Sequence, residues 1–265
     1  MNNRYLGALI ISPFIIFIFL GGYYLMAFCF AISLIGMHEF FSVIRKKGFN
    51  PFEKIAYLAA VMYYVILIVN RNQNYLGTLL VILTLVLLCI PVIEPKYNFV
   101  DAALSLLSVI YIPILFSLIT LINQKLCGNV LVWLVFITAW GCDTSAYYAG
   151  RFLGKNKLCP KVSPKKTVEG SIGGVVGSTL VALIFGYIIE QNYNVMDLIN
   201  YPLIGMLCGI ICQFGDLVAS SIKRYAGVKD YSNLIPGHGG ILDRFDSIIY
   251  SAAAVFYYLT IVLKM

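Results

Sequence analysis

Charged residues are scarce in this chain of 265 residues, since Lys, Arg, Asp and Glu make up only 12% of it, whereas hydrophobic residues make up 60%. Soluble globular domains usually contain about 25% charged residues. The composition therefore excludes a soluble protein and indicates a polytopic membrane protein. No low-complexity linker and no long hydrophilic stretch divides the sequence, so we expect a single membrane-embedded, all-α domain over residues 1–265.

Metal and disulfide motifs built on cysteine or histidine are also missing. The chain has seven cysteines and two histidines, and none of the cysteines forms a C-x-x-C pair. Neither a soft-metal site nor a disulfide framework is therefore indicated. The G-x4-G-K-[S/T] pattern of a P-loop does not occur either, which excludes that mode of nucleotide binding.

Long apolar runs occupy most of the chain. A helix needs about 20 apolar residues to cross the hydrocarbon core of a bilayer, and we count nine runs that approach this length. They lie near residues 4–20, 22–43, 54–70, 75–93, 100–123, 129–149, 170–190, 200–222 and 246–264. We assign residues 1–125 to N-terminal helices and residues 126–265 to catalytic helices and loops.

The basic residues predict the orientation of these helices. With nine spans, all of the 19 Lys and Arg residues except Arg71, Lys125 and Lys264 lie on the side of the N-terminus. Cytoplasmic loops are enriched in Lys and Arg, so we expect a cytoplasmic N-terminus, a location in the cell (plasma or inner) membrane and an active site that faces the cytoplasm. This bias also explains the net charge of +7 without a nucleic-acid partner.

Polar residues are concentrated in the segment 213–246. Gln213, Asp216, Ser220 and Lys223 recur at helical spacing, so they form one polar stripe on an otherwise apolar helix. Ionisable residues within membrane helices usually have a function or a charged partner. The stripe therefore favours a functional site over the alternative, a juxtamembrane loop whose charges only meet headgroups and water.

A Gly- and Pro-rich loop follows the stripe and ends at Asp243 and Asp246, which are spaced i, i+3 at the start of the next apolar helix. Carboxylates from two helices suit Mg²⁺, which takes few protein oxygens and leaves its other positions to water and phosphates. We therefore predict that Asp216 and Asp243 bind Mg²⁺. Cations near them in the sequence are expected to bind phosphate groups, and these are Lys223, Arg224, Lys229 and Arg244.

The same segment contains a long series of residues at defined spacings. They are Ser220, Ile222, Lys223, Arg224, Lys229, Asp230, Ser232, Pro236, His238, Gly239, Gly240, Ile241, Asp243, Arg244, Phe245 and Asp246. This series resembles the signature of the CDP-diacylglycerol synthases, the phosphatidate cytidylyltransferases. The resemblance implies a membrane enzyme that depends on Mg²⁺, joins CTP to phosphatidic acid and releases pyrophosphate. It also suggests a homodimer.

A second motif, Ser163-Pro-Lys165-Lys166-Thr167-Val-Glu169-Gly170, resembles the Ser-Pro-Lys-Lys-Thr-x-Glu-Gly motif of the same family. It offers hydroxyl groups and positive charge, and the helix after it begins with glycines whose N–H groups can bind phosphate oxygens. The alternative is a basic loop that touches lipid headgroups. Glycines in the spans near 170–190 and 200–222 predict that these two helices pack closely.

Asp143 and Tyr147 lie one helical turn apart in the sixth predicted span, and the segment that contains them resembles an Asp-x-x-Ala-Tyr segment of the family. We therefore place Asp143 near the active site, without a defined role. The alternative is a hydrogen bond that serves helix packing.

The resemblance and the chemistry of the side chains together suggest two groups of site residues. The predicted catalytic residues are Asp216, Lys223, Asp243, Asp246 and His238, of which His238 is either a hydrogen-bond donor or a structural part of its loop. The predicted substrate-binding residues are Ser163, Lys165, Lys166, Thr167, Ser220, Arg224, Lys229, Arg244 and Asp143.

Two other functions are weighed against the cytidylyltransferase. A CTP-dependent polyprenol kinase would use similar substrates, and an ion-coupled transporter would also place charges inside its spans. A transporter is expected to show interrupted helices in two matching halves, whereas the polar motifs lie in the second half alone. In the first half, His38 and Glu39 are interpreted as a pair at the membrane interface, and a functional role for them is the alternative.

Overall fold

The computed structural model describes residues 14–69, 74–235, 237 and 239–265. Helices account for most of these residues, and residues 14–20 form a short helical segment before the first long helix. The long helices are α1 (Gly22–Arg45), α2 (Glu53–Val69), α3 (Asn74–Ile93), α4 (Phe99–Asn123), α5 (Gly128–Phe152), α6 (Val168–Tyr193), α7 (Asn200–Tyr225) and α8 (Leu242–Val262).

Seven of the described helices, α1 and α3 to α8, are long and apolar enough to cross a membrane. Helix α2 has 17 residues and measures about 26 Å at a rise of 1.5 Å per residue, which is shorter than a hydrocarbon core of about 30 Å. Most of the first predicted span, residues 4–20, lies outside the described residues. The described part of the chain therefore contains seven candidate spans, and the total of nine stays a prediction.

A β-hairpin between α5 and α6 departs from the predicted all-α fold. Strand β1 (Lys157–Cys159) pairs in antiparallel fashion with strand β2 (Ser163–Thr167), and Lys157 lies opposite Thr167. The sequence predicts no strand here, because the two strands are short and have no alternating apolar pattern that would reveal them. The fold is mostly helical, and strand β2 of the hairpin carries Lys165 and Lys166, which we call the Lys-Lys motif.

Glycines bring α5, α6 and α7 into close contact. A Cβ atom built on Gly174 of α6 would lie 2.9 Å from the Cys142 Sγ atom of α5, and one built on Gly205 of α7 would lie 2.7 Å from the Ser178 carbonyl oxygen of α6. The Ser178 hydroxyl in turn donates a hydrogen bond of 2.7 Å to the Gly205 carbonyl oxygen. Small residues permit such close approach of membrane helices, and the predicted packing of α6 on α7 is confirmed.

The N-terminal helices α1 and α4 pack against the first turn of α8. A Cβ atom on Gly36 of α1 would lie 3.1 Å from Leu242 of α8 and 3.2 Å from Ile112 of α4. Near this contact, α4 widens into a π turn at Ile110–Ile114. Pro113 lies in this turn and has no N–H to donate to the preceding turn, which favours such a local widening. The first half of the chain thus supports the helix that begins at Leu242.

The close contact between α6 and α7 makes Gly205 sensitive to a single added methyl group. We expect Gly205→Ala to lower the free energy of unfolding by about 1–3 kcal/mol, since the Cβ atom would press on the backbone of α6. Gly77→Ala is the matched control, because no atom lies within 4 Å of a Cβ atom built at Gly77. Unfolding of the purified variants in detergent measures the difference, and equal stabilities would contradict the packing described here.

Candidate active site

A cavity of about 470 Å³ lies at one end of the bundle, where polar segments of α5, α7 and α8 meet the hairpin and the start of α6. Most of the predicted site residues line it. Its carboxylates are Asp143, Asp216, Asp243 and Asp246, and its cations are Arg151, Lys165, Lys166 and Arg244. The structure therefore unites the segment 213–246 with the Lys-Lys motif and with Asp143, as the sequence analysis predicted.

One face of α5 contributes a polar stripe to the cavity wall. Asp143, Tyr147 and Arg151 follow one another at intervals of four residues and all line the cavity, because residues four apart lie on the same side of a helix. Only Asp143 was named as a site residue from the sequence. The spacing of Arg151 from Asp143 was a signal in the sequence that pointed to its place in the site.

The hairpin is held in place by the first turn of α6. The Thr167 hydroxyl accepts a hydrogen bond of 3.1 Å from the Gly170 N–H and so caps this helix. The Glu169 carboxylate accepts hydrogen bonds from the backbone N–H groups of Lys155 and Asn156. These bonds fix both ends of the hairpin, so that the side chains of Lys165 and Lys166 reach the cavity.

Lys166 connects the hairpin to α7 through an ion pair with Asp216. The Lys166 Nζ atom lies 2.6 Å from the Asp216 Oδ2 atom, and the Lys166 side chain keeps 25% of its surface exposed. The Ser220 hydroxyl, one turn further along α7, donates to the Asp216 Oδ1 atom at 3.2 Å. Asp216 is thus held by two partners, one of which is on a short hairpin open to solvent.

Gln213 forms the deeper part of the polar stripe on α7. Its Nε2 atom donates to the carbonyl oxygens of Gly209 and Ser171, at 2.6 and 3.1 Å. Since both neighbours are acceptors, the amide nitrogen must face them, and the amide oxygen is the group left to face the cavity that Gln213 lines. Gln213 therefore adds a hydrogen-bond acceptor to the site.

Asp243 lies at the centre of a buried network between α7 and α8. The Lys223 Nζ atom donates to its Oδ1 atom at 2.6 Å, while the backbone N–H groups of Tyr231 and Gly240 donate to its Oδ2 atom at 2.8 and 2.9 Å. The side chains of Lys223 and Asp243 are only 9% and 3% exposed. Burial raises the pKa of Tyr231 well above its usual value, so the phenol beside this network stays neutral.

The buried carboxylate of Asp246 lies one turn beyond Asp243 on α8. Its Oδ1 atom accepts a hydrogen bond of 2.7 Å from the Ser247 N–H. The Ser247 hydroxyl donates to the Asp143 Oδ2 atom at 3.2 Å and so ties α8 to α5. On the α7 side, Gly215 leaves room for the α8 backbone at Asp246. These contacts bring carboxylates from α5, α7 and α8 to one cavity.

Glu39 is a residue of this region that the sequence analysis misjudged. The interpretation of Glu39 as half of an interfacial pair with His38 is wrong, since this residue is only 2% exposed. Its carboxylate accepts hydrogen bonds from the Ser232 hydroxyl and from the N–H groups of Ile241 and Leu242. These partners are about 200 positions away in the sequence, so no local pattern could reveal them.

Five predicted site residues within the described part of the chain do not line the cavity, and these are Ser163, Ser220, Lys223, Arg224 and Lys229. Arg224 is exposed and donates to the Val228 carbonyl oxygen at 3.0 Å, and Lys229 is exposed on the loop that follows. Ser163 lies at the start of β2, the strand that carries Lys165 and Lys166. His238 lies outside the described residues, and its predicted role stays a prediction.

The cavity contains oxygen ligands of the kind that a hard cation prefers. Within the described residues, no group of three or more His, Cys, Asp or Glu side chains is placed to hold a metal ion. Mg²⁺ usually takes only one or two protein carboxylates and completes its coordination with water and substrate phosphates. Asp216 keeps unoccupied lone pairs on both oxygens. Asp243 accepts three hydrogen bonds and keeps about one of the four lone-pair positions of a carboxylate.

Fold and site together define a helical membrane protein with a polar cavity that is lined by both carboxylates and basic side chains. The profile of the cytidylyltransferase family matches residues 2–262, and the chain belongs to this family. It is similar to a phosphatidate cytidylyltransferase of Staphylococcus haemolyticus, with 34% identity over 94% of this chain and 95% of that protein. It is also similar to proteins of the same name from Staphylococcus aureus, at 35% identity over 94% and 95%, and Staphylococcus epidermidis, at 34% over 87% of each.

The buried pair of Lys223 and Asp243 predicts a large effect on stability. We expect Lys223→Met to lower the free energy of unfolding by about 3–5 kcal/mol, because it leaves a buried carboxylate without its cation. Arg224→Met is the matched control and is expected to change stability by less than about 0.5 kcal/mol, since Arg224 is exposed. Denaturant titration of the two variants measures the contrast. A similar, small loss in both would contradict a structural role for Lys223.

Proposed function

We propose that this chain is a phosphatidate cytidylyltransferase, which converts CTP and phosphatidate into CDP-diacylglycerol and pyrophosphate. The observation that carries the proposal is the cavity, in which Lys165, Lys166 and Arg244 face the carboxylates of three membrane helices. Such a site suits the joining of a soluble triphosphate to a lipid phosphate. Family membership and the shared name of the staphylococcal relatives support the same reaction.

In this reaction, an oxygen of the lipid phosphate attacks the α-phosphorus of CTP. The bond between the α-phosphorus and the oxygen that bridges to the β-phosphate breaks, and pyrophosphate leaves. The attacking phosphate is already ionised at neutral pH, so the enzyme does not need a strong general base. Catalysis depends mainly on positioning and on neutralising several negative charges at once.

The cations of the site divide this work between them. Lys165, Lys166 and Arg244 bind the phosphates of CTP, and Lys166 leaves Asp216 to do so. Lys223 acts through Asp243, which it holds in place at 2.6 Å. Arg224 and Lys229, which lie outside the cavity, add positive charge that attracts the nucleotide.

The polar side chains of the site complete this arrangement. Thr167 caps α6 beside the cavity, and Ser163 begins the strand that carries Lys165. Ser220 orients Asp216 through its hydrogen bond, and Asp246 and Asp143 orient the polar groups around the reacting phosphates. His238 is assigned to the same loop as a hydrogen-bond donor or a structural residue.

Asp216 and Asp243 are the proposed protein ligands of Mg²⁺. A bound Mg²⁺ would neutralise charge on the phosphates of CTP and of the leaving pyrophosphate. The chemistry of the site supports this assignment, since both residues line the cavity and each keeps an oxygen lone pair available. Lys223 already neutralises the charge of Asp243 within a buried pair. Asp216 is therefore the stronger of the two candidate ligands.

The orientation of the chain in the membrane is part of the same proposal. Nine spans with a cytoplasmic N-terminus put the Lys-Lys motif and the loop before α8 in the cytoplasm, where CTP is available. Lipid phosphates at the inner face of the cell membrane are then within reach of the cavity, and their acyl chains stay in the bilayer. A homodimer is the proposed assembly, on the basis of the family resemblance.

The position of a radioactive label in CTP tests the proposed reaction. With purified protein, phosphatidate and Mg²⁺, we expect label from the α-phosphate to enter the lipid and label from the γ-phosphate to appear in pyrophosphate. A CTP-dependent polyprenol kinase would instead transfer the γ-phosphate to its lipid. Entry of the γ-label into lipid, or of neither label, would overturn the proposal.

Asp216 provides the clearest test of the metal assignment, because its replacement leaves the Asp243 network intact. We expect Asp216→Asn to abolish turnover and to lose most of the rise in melting temperature that Mg²⁺ and CTP cause together in the parent, since a ligand stabilises only the state that binds it. Asp197→Asn, at an exposed position outside the cavity, should behave like the parent.

Asp243→Asn should also abolish turnover, but it should lower stability as well, because it disturbs the buried pair with Lys223. The metal assignment is wrong for Asp216 if Asp216→Asn keeps near-normal turnover and the same Mg²⁺-dependent rise in melting temperature.

A further inference from the structure

The first turn of α8 carries Asp243, Arg244 and Asp246 into the cavity, yet the residue before the helix does not cap it. Ile241 occupies the capping position, and its apolar side chain makes no hydrogen bond to the helix. The first N–H groups of a helix have no partner within the helix itself. Such groups are satisfied from elsewhere when the helix end is buried, and here the partner comes from α1.

Glu39 of α1 takes the place of a local cap. Its Oε1 atom accepts from the Ile241 N–H at 2.9 Å and its Oε2 atom accepts from the Leu242 N–H at 2.9 Å. A carboxylate suits this place, because the N-terminus of a helix carries a partial positive charge. With both oxygens engaged, Glu39 fixes where the first turn of α8 lies and how it is rotated.

The same carboxylate also holds the loop that leads into α8. The Ser232 hydroxyl donates to the Glu39 Oε1 atom at 2.6 Å. Gly240 passes so close that a Cβ atom on it would lie 2.5 Å from the same oxygen. Next to these contacts, Tyr231 and Gly240 donate their N–H groups to Asp243. Glu39 and Asp243 therefore bind two adjoining parts of one loop.

We propose that Glu39 is a positioning residue of the cytidylyltransferase site, which acts by holding the first turn of α8 in the orientation that presents Asp243, Arg244 and Asp246 to the substrates. It lies outside the lining of the cavity, so it acts through α8 and not directly on the substrates. Its carboxylate also occupies a helix N-terminus that would otherwise attract phosphate. The triphosphate is thereby directed to Lys165, Lys166 and Arg244. This role rests on the proposed reaction, and the two can fail separately.

Glu39→Gln tests the proposal with little change in shape. The amide of Gln can point its oxygen at only one of the two N–H groups, so its nitrogen must face the other and the first turn of α8 must shift. We expect kcat to fall by about 10–100-fold, since a displacement of about 1 Å at a catalytic site can cost that much. CTP binding measured without phosphatidate should still give the same number of sites per protein molecule as in the parent.

Glu53→Gln is the matched control, because Glu53 begins α2 and its carboxylate pairs with Arg45 away from the cavity. It should keep the parental kcat. The binding measurement separates positioning from loss of folded protein, since a merely structural defect would lower kcat and the number of CTP sites in the same proportion. Such a proportional loss, or a parental kcat in Glu39→Gln, would overturn the proposal.

Ser232→Ala and Gly240→Ala give independent tests, and they decide the question if Glu39→Gln does not fold. Ser232→Ala removes one of the three hydrogen bonds to the Glu39 carboxylate and should lower kcat less than Glu39→Gln does. In the double variant, the fold-decrease in kcat should be smaller than the product of the two single decreases, because both residues act through the same contact. Gly240→Ala should lower kcat because its methyl group displaces the carboxylate. Parental kcat in both variants would contradict the role of Glu39, whereas an inactive parent would instead contradict the proposed reaction.

Discussion

A charged side chain within a membrane helix needs a partner, and this requirement organises the functional half of the chain. In this chain the partners are Lys223 of α7 and Asp243 of α8, since the Lys223 Nζ atom donates a hydrogen bond of 2.6 Å to the Asp243 Oδ1 atom. The N–H groups of Tyr231 and Gly240 bind the same carboxylate, so the loop between the two helices is positioned by this pair. The positions of Arg244 and Asp246, the other residues of α8 that line the cavity, depend on this ion pair and on the loop that it holds.

The cations of the site differ in their freedom to change partners. The Lys223 side chain is only 9% exposed and its partner is buried with it. Lys166 is on a hairpin, and its side chain is 25% exposed. It forms an ion pair with Asp216, whose side chain is also partly exposed. A triphosphate brings several negative charges to the site. A cation can leave its carboxylate and bind these charges only if the carboxylate that it leaves can be solvated or can bind another cation. Lys223 therefore maintains the shape of the site, while Lys166 is available to the substrate.

The sequence predicted the parts of the site that depend on local spacing. The stripe from Gln213 to Lys223 and the pair Asp243 and Asp246 follow from helical periodicity, and the close packing of α6 on α7 follows from their glycines. The hairpin could not be predicted, because its strands have only three and five residues and show no periodic pattern. Glu39 could not be predicted either, since its partners lie 193 to 203 positions further along the chain.

An experimental structure with CTP and Mg²⁺ tests the central claim most directly, namely that the phosphates of the nucleotide take over Lys166, the cation that is paired with Asp216 in the present structure. The account predicts that the triphosphate lies in the cavity, with the Lys166 Nζ atom at about 2.7–2.9 Å from a phosphate oxygen and no longer bound to Asp216. Lys223 should stay on Asp243. A nucleotide bound outside this cavity, with Lys166 still paired to Asp216, would contradict the account.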